Sequence, residues 1–249
     1  MIVRSQTKVG AEIIEAGKKL KVIGRAGVGT DNIDIDAATR SGIVVVNAPT
    51  GNTVAAAEHT IALMLALARN IPQANNLLKS GKWQREAMVG SELRNKTLGI
   101  IGLGNVGSEV AKRAQAFEMR VVAHDPFVSK EYAGNLKVDL VSLDQLLREA
   151  DFITLHVPLT AATEKLIGGR ELAKLKPMAR IINCARGGLV DEVAIVEAIK
   201  IGKIAGAAFD VFDKEPITNS PLFAEDKIIV TPHLGASTIE AQTSIAKDI

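Results

Sequence analysis

The chain has 249 residues, of which 47% are hydrophobic, and its formal net charge is +2. This length suits one large domain or two small ones, and the near-neutral charge argues against a nucleic-acid-binding surface. The single cysteine, Cys184, excludes an intrachain disulfide and predicts a reducing, cytoplasmic location. The sequence has no signal-peptide core, no apolar run long enough to span a membrane, and no cluster with metal-ligand spacing, so we expect no membrane or metal.

The first part of the chain alternates short strands and helices. Apolar patterning predicts strands at 2–3, 21–24 and 43–46, with helices at 11–18 and 34–41 between them. This alternation implies a parallel sheet. Both ends of the chain look abrupt, so we expect the sequence to be a truncated version of something longer.

The stretch from Thr53 to Arg69 predicts a long, alanine-rich helix that is apolar on most sides. Such a helix should be buried, either between domains or between subunits. We therefore expect a homodimer that forms through this region. A second helix is predicted at 71–82, and the polar residues 84–96 are the expected crossing into the next domain.

The stretch from Thr97 to Asp125 has the order strand, glycine turn, helix, strand and acidic residue that binds a dinucleotide. Gly102 permits the tight turn, Gly104 allows a pyrophosphate to approach the backbone, and Gly107 lets the helix pack on the strand. The helix amino terminus then offers free N–H groups to the phosphates. A carboxylate at Asp125 binds the ribose hydroxyls and repels the extra phosphate of NADP, so the expected cofactor is NAD.

Strands and helices continue to alternate as far as Val230, and three charged residues there are candidates for catalysis. Arg186 follows a predicted strand and is suited to bind a substrate carboxylate, although an exposed loop arginine is the alternative. His233 also follows a strand, and its ordinary pKa suits proton transfer, although a structural hydrogen bond is the alternative. Glu215 is suited to orient that imidazole, although composition alone does not choose it over the acidic residues nearby.

Together these three residues make a hydride-transfer site plausible, and the motifs around them resemble those of a known family. The segments are NCARGG (183–188), FDVFDKEP (209–216) and PHLGAS (232–237), with IIGLGNVG (100–107) upstream. They are similar to the D-isomer-specific 2-hydroxyacid dehydrogenases. Further segments, 3–9, 22–39, 47–60 and 232–242, are similar to members of the family that act on a phosphorylated 2-hydroxy acid.

The resemblance implies an α/β fold with a Rossmann-type doubly wound parallel sheet and a smaller, incomplete flavodoxin-like α/β domain. It implies a substrate-binding domain at 1–93, to which 236–249 return, and an NAD-binding domain at 94–235. The implied catalytic residues are Arg186, Glu215 and His233. The implied NAD contacts are Gly102, Gly104, Asn105, Val106, Gly107, Asp125, Val157, Pro158, Cys184, Ala185, Arg186, Asp210, His233, Gly235 and Ala236. The implied substrate contacts are Arg4, Arg25, Gly27, Val28 and Arg186, with Arg4 and Arg25 as candidates for the phosphate.

Three other functions remain open at this point. The chain resembles, within the same family, reductases of unphosphorylated 2-keto acids. An NAD-binding interaction protein or an inactive fragment that still binds NAD would carry the same dinucleotide motif. Of the remaining candidates, Cys184, His59, His124 and His156 are interpreted as structural residues.

Overall fold

The computed structural model describes residues 1–4 and 6–249, so Ser5, within the segment 3–9, lies outside the described residues. The described residues contain parallel strands joined by helices. The strands are β1 (Ile2–Val3), β2 (Val22–Arg25), β3 (Val44–Asn47), β4 (Thr97–Ile101), β5 (Arg120–His124), β6 (Asp139–Leu140), β7 (Phe152–Leu155), β8 (Arg180–Asn183), β9 (Gly206–Phe209) and β10 (Ile228–Val230). The α-helices are α1 (Ala11–Ala16), α2 (Ile35–Arg40), α3 (Thr53–Ala68), α4 (Ile71–Lys79), α5 (Asn105–Ala116), α6 (Lys130–Asn135), α7 (Leu143–Glu149), α8 (Gly169–Leu172), α9 (Glu192–Lys200) and α10 (Ile239–Asp248).

The chain divides into two compact units, of which one contains 1–55 and 236–249 and the other 56–235. The sequence interpretation gave 56–93 to the first domain, but these residues belong to the larger unit. The reason is the packing of α3, since Ile61, Met64 and Leu67 share a buried cluster with Leu98 of β4. The roles of the two units in binding substrate and NAD stay a prediction.

The smaller unit is built on a three-stranded parallel sheet in the order β1, β2, β3. Its core is a cluster of aliphatic side chains that includes Ile14 of α1, Ile23 of β2 and Ile43. Asp34 caps α2 by accepting a hydrogen bond from the Ala37 amide at 2.8 Å, a contact that satisfies one free donor of the first turn. This unit also contains α10, which Thr238 caps in the same way.

The larger unit is built on a seven-stranded parallel sheet in the order β10, β9, β8, β7, β4, β5, β6. The strand order runs outward in both directions from the neighbours β4 and β7, which confirms the predicted doubly wound sheet. Ligands of such sheets bind beyond the carboxyl ends of the strands at this switch point.

Helices cover both faces of the larger sheet, and successive strand residues point to opposite faces. Phe152 and Ile182 belong to the buried cluster on the side of α3 and α5, whereas Ile153 and Ile181 belong to the cluster on the side of α7 and α9. Parallel strands that are buried on both faces require such continuous apolar runs.

The predicted elements are present with shifted ends, and one region was missed. The apolar run 152–157 predicts a strand, but β7 ends at Leu155. The predicted helix 71–82 corresponds to α4, which ends at Lys79. Neither α6 nor β6 was predicted as an individual element, because each is short. Within the described residues, no single helix is long and apolar enough to cross a membrane. The pair formed by α3 and α4 meets the length and composition criteria only jointly, and it is bent by 62°.

Candidate active site

The glycine turn between β4 and α5 has the geometry that the motif predicts. Gly102 adopts a φ of +95°, which is disfavoured for residues with a side chain. A Cβ on Gly107 would collide with the carbonyl oxygen of Gly102, so the third glycine allows the helix to lie against the turn. A Cβ on Gly104 would meet no atom within 4 Å. The turn therefore leaves open space beside Gly104, the residue that precedes the first turn of α5.

Asp125 follows β5 and reaches back to this turn. One carboxylate oxygen accepts a hydrogen bond from the Leu103 amide at 2.8 Å, and the other accepts one from the Phe127 amide at 2.9 Å. The carboxylate is therefore fixed at the edge of the glycine turn while it remains partly exposed. This position and charge fit a group that binds ribose hydroxyls.

Residues beyond β7 and β8 line the same edge of the sheet. Val157 packs beside Gly102, since a Cβ on that glycine would approach its side chain to 2.7 Å. The Ala185 amide donates to the Asn183 side chain at 3.1 Å, which shapes the loop after β8. Burial raises the pKa of the Cys184 thiol to about 12. A thiol with this pKa is not a nucleophile near neutral pH, in agreement with the structural interpretation of Cys184.

Two loops meet to bring Arg186 and Glu215 into one site. A Cβ on Gly187 would collide with the carbonyl oxygen of Phe212, so glycine permits the close approach of the loops. The Gly188 amide donates to a carboxylate oxygen of Asp213 at 2.7 Å, which ties the loops together.

His233 and Glu215 form the closest charged contact of the site. Nδ1 of His233 lies 2.6 Å from Oε2 of Glu215, and Oε1 of Glu215 accepts a hydrogen bond from the Phe212 amide at 3.1 Å. The hydrogen bond to Glu215 raises the pKa of His233, although burial and the positive charge of Arg186 act in the opposite direction. Burial acts to raise the pKa of Glu215, but the contact with His233 and the hydrogen bond from the Phe212 amide together lower it below its ordinary value. The geometry thus joins an imidazole and a carboxylate into an acid–base pair.

Arg186 lies close enough for its charge to influence His233. Its side chain donates through Nη1 to the Ala185 carbonyl oxygen at 2.6 Å, and its own carbonyl oxygen accepts from the Asn183 side chain at 2.8 Å. A guanidinium held in this way is suited to bind a carboxylate. The structure therefore brings Arg186, Glu215 and His233 together at the carboxyl ends of the strands, as the sequence predicts.

Asp210 is fully buried at the end of β9 and holds the turn that carries His233. Its carboxylate accepts hydrogen bonds from the Leu234 amide at 2.7 Å, the Gly235 amide at 2.8 Å and the Thr231 hydroxyl at 2.6 Å. The sequence interpretation assigned Asp210 and Gly235 to NAD. Their contacts show that they also determine the backbone path around His233.

The predicted substrate contacts Arg4, Arg25, Gly27 and Val28 lie in the smaller unit. Arg25 donates through Nη1 to the Ala26 carbonyl oxygen at 2.7 Å, and Gly27 adopts a φ of +142°. The loop that follows β2 is fixed further by Asn47, whose side chain donates to the Val28 carbonyl oxygen at 2.7 Å. The part of this loop in binding substrate stays a prediction.

Sequence reasoning missed two residues that support the site. His59 of α3 lies 3.2 Å from Asp210, although it was interpreted as a structural histidine. Glu192, the first residue of α9, accepts hydrogen bonds from the Asp213 amide at 3.3 Å and the Ser220 hydroxyl at 3.2 Å. No local pattern identifies either residue, because their partners are distant in the sequence.

Comparison with known proteins identifies relatives of this chain. The profile for the NAD binding domain of the D-isomer specific 2-hydroxyacid dehydrogenases matches residues 61–235. The chain is 57% identical, over its whole length, to a D-3-phosphoglycerate dehydrogenase of Synechocystis sp., and it covers 45% of that protein. It is 59% identical to a D-3-phosphoglycerate dehydrogenase of Archaeoglobus fulgidus, with all of the chain and 48% of the relative covered.

Solved structures agree with the sequence relatives. The structure of a glyoxylate reductase from Paecilomyes thermophila matches with a TM-score of 0.92 at 34% identity, and the match covers 99% of this chain and 76% of the reductase. The chain spans about half the length of the curated relatives it matches. Because the profile covers most of the chain and the motif residues meet in one site, the chain belongs to the D-isomer specific 2-hydroxyacid dehydrogenase family.

Proposed function

We propose that the protein catalyses the NAD-dependent oxidation of D-3-phosphoglycerate to 3-phosphohydroxypyruvate, the first step of serine biosynthesis. The single observation that carries this proposal is the His233–Glu215 pair, with a nitrogen-to-oxygen distance of 2.6 Å, beside Arg186. The high identity to D-3-phosphoglycerate dehydrogenases supports the choice of a phosphorylated substrate.

In the proposed mechanism, Arg186 binds the substrate carboxylate and orients C2. Since Nδ1 of His233 is engaged by Glu215, Nε2 is the nitrogen that accepts the proton of the C2 hydroxyl. NAD, when bound, supplies the hydride acceptor. Glu215 stabilises the imidazolium that forms on His233, and in the reverse direction protonated His233 returns its proton to the substrate oxygen.

For the cofactor, we propose a path along the carboxyl edge of the larger sheet. The open space at Gly104 and the amino terminus of α5 are suited to the pyrophosphate, and the carboxylate of Asp125 is suited to the ribose. The remaining proposed contacts are Asn105, Val106, Val157, Pro158, Cys184, Ala185, Asp210, Gly235 and Ala236.

For the substrate, we propose that the loop from Arg25 to Val28 binds the carboxylate and that Arg4 and Arg25 bind the phosphate. These residues belong to the smaller unit, which we propose as part of a substrate-binding domain. Arginine is suited to both groups because its planar fork matches carboxylate and phosphate oxygens.

The test is NADH consumption by the purified chain with 3-phosphohydroxypyruvate, hydroxypyruvate and glyoxylate compared under one condition. We expect a strong preference for the phosphorylated keto acid. In the His233→Ala variant, turnover should fall by roughly 10²–10⁴-fold, the usual contribution of general acid–base catalysis. Full activity of this variant would contradict the proposed mechanism.

A second candidate is a reductase of glyoxylate or hydroxypyruvate, which is favoured by the structural similarity to a glyoxylate reductase. Preference for the unphosphorylated keto acids in the same assay would support it. NADH binding without turnover would instead support a non-catalytic scaffold or a fragment.

We also propose that the protein is a cytoplasmic homodimer. The free thiol of Cys184 supports a reducing compartment. The proposed interface lies in the region from Thr53 to Arg69 and includes the exposed apolar residues Val54 and Ala62 of α3. The exposed apolar side chains Ile71 and Leu78 of the adjoining helix α4 extend this surface. Exposed apolar side chains grouped in one region are typical of subunit interfaces.

A further inference from the structure

A buried carboxylate with several donors connects helix α3 to the turn of the acid–base histidine. Asp210 accepts hydrogen bonds from the Thr231 hydroxyl and from the Leu234 and Gly235 amides, and Nε2 of His59 lies 3.2 Å from the same Oδ1 that Thr231 contacts. Nε2 of His59 also lies 3.1 Å from the Thr231 hydroxyl oxygen. His59 is contributed by helix α3, whereas the other members of this network follow strands β9 and β10.

The network determines which nitrogen of His59 carries a proton. The Thr231 hydroxyl has one hydrogen, which it donates to Asp210 at 2.6 Å. It therefore cannot also donate to His59, so Nε2 must be the donor toward Asp210 and Thr231. This tautomer is assigned from the hydrogen-bond partners.

The turn that carries His233 needs hydrogen bonds to hold its backbone conformation. His233 adopts a φ of +56°, a left-handed conformation that is strained for a residue with a side chain. The two amides that follow it both bind Asp210. Whatever fixes the Asp210 carboxylate therefore fixes the direction in which His233 leaves the backbone.

We propose that His59 is a positioning residue for His233, which it orients by donating a hydrogen bond to Asp210 and Thr231. The proposal rests on the proposed function, because it assigns His59 to the same acid–base step. His59 has no contact with the imidazole of His233, and the 172 residues that separate it from Thr231 explain why no motif reveals it.

The electrostatic consequence has a definite sign. The charged groups that face His233 are Glu215, Asp210 and Arg186. The negative charge of Asp210 raises the pKa of His233. Without the hydrogen bond from His59, the negative charge of Asp210 is less neutralised and acts more strongly on His233. The pKa of His233 should therefore shift upward.

The first experiment is a proton–carbon NMR titration of the histidine side chains in the full chain. The protein has four histidines, so substitution of each assigns every signal. In His59→Leu, which has similar volume and no donor, and in His59→Asn, which is polar but too short to reach Asp210, we expect the His233 titration to move to higher pH. In His59→Gln, whose amide nitrogen replaces Nε2, we expect the titration of the original protein.

The matched control is Glu58→Gln, which changes the neighbouring residue of α3. Glu58 is exposed and pairs with Arg113 at 3.3 Å, whereas Asp210 and Thr231 bond to other residues. An unchanged His233 titration in both His59→Leu and His59→Asn would overturn the proposal. A shift of equal size in Glu58→Gln would overturn it as well, since the effect would then belong to α3 in general.

Kinetics supply the second readout if the chain reduces a keto acid. We expect the kcat of His59→Leu and His59→Asn to fall by roughly 10- to 150-fold, as for the loss of one hydrogen bond to a charged group, and His59→Gln to restore it. The KM for the keto acid should stay within about twofold, because His59 contacts no proposed substrate residue. A chain with no turnover would contradict the proposed function, whereas the NMR titration would still decide the role of His59.

Discussion

His233, the proposed acid–base residue, is held by hydrogen bonds at both its backbone and its side chain. Its left-handed backbone is held by the Asp210 carboxylate, and its imidazole is held by Glu215. Strained residues persist only where their surroundings hold them, and they are frequent at active sites. The same contacts that fix the imidazole also set its pKa, so position and protonation are controlled together.

The first prediction concerns Glu215→Gln. The hydrogen bond to the Glu215 carboxylate is the largest cause of the raised pKa of His233. Glutamine keeps the size but removes the charge, so the pKa of His233 should fall. Oxidation of the hydroxy acid requires neutral His233, and its rate rises with pH through that pKa. The rising limb of the pH–rate profile should therefore move to lower pH, and a profile that stays in place would contradict the assignment.

The second prediction concerns cofactor choice at Asp125. Substitution by asparagine removes the negative charge but keeps an oxygen that accepts from the Leu103 or Phe127 amide. Since like charges near 4 Å repel by about 1–4 kcal/mol, the ratio of the Kd for NADPH to the Kd for NADH should fall by roughly tenfold. Fluorescence titration with both cofactors measures this ratio. Asp139→Asn at the exposed end of β6 is the control, and an unchanged ratio in Asp125→Asn would remove the ribose assignment.

At this scale, sequence reasoning found residues that lie in short motifs. The segments around Arg186, Glu215 and His233 resemble a known family, and the structure brings the three residues together, while their catalytic roles stay a prediction. His59 and Glu192 were missed because their partners are distant along the chain and become neighbours only through the fold.

At the scale of secondary-structure elements, the glycine turn separates two roles that the motif combines. Gly107 is needed for packing, because a side chain there collides with the Gly102 carbonyl oxygen, whereas Gly104 faces open space. Gly107 therefore serves the packing of the fold, whereas Gly104 leaves open space at the proposed cofactor site.

The third prediction follows from this difference. Gly107→Ala should lower the Tm by about 2–12 °C, as expected for overpacking that costs 1–3 kcal/mol. Gly104→Ser should keep the Tm, because serine is favoured at the residue that caps a helix, but it should weaken NADH binding by filling the open space. Thermal unfolding and NADH titration of both variants measure the two effects. Equal Tm values for both variants would contradict the packing role of Gly107.

Element prediction worked best for long periodic segments. The parallel pairing of the strands follows from the alternation of apolar strands and helices, and α3 was predicted within one residue of its end. Neither α6 nor β6 was predicted individually, since a six-residue helix and a two-residue strand carry too few apolar positions to show a period. Ser129 caps α6 by accepting a hydrogen bond from the Tyr132 amide. It is the residue in the sequence that could have indicated the start of this helix.

At the scale of the whole molecule, α3 connects the proposed assembly to the proposed site. Eight of the sixteen residues of this helix are buried, so the fold covers much of its apolar surface without a second subunit. Val54 and Ala62 remain exposed on it, and His59 of the same helix reaches Asp210. A partner that packs on α3 would therefore restrain the element that holds the His233 turn.

The fourth prediction tests this assembly. The unaltered protein should sediment with twice the 26.4 kDa mass of one chain. Ala62→Glu places a charge on the exposed side of α3, and burial of an unpaired charge at an interface is costly, so this variant should sediment as a monomer with an unchanged Tm of the isolated subunit. The control is Ala116→Glu, which adds the same charge at the exposed end of α5. Dimers that survive in Ala62→Glu would place the interface elsewhere, because an unpaired glutamate buried between subunits costs several kcal/mol.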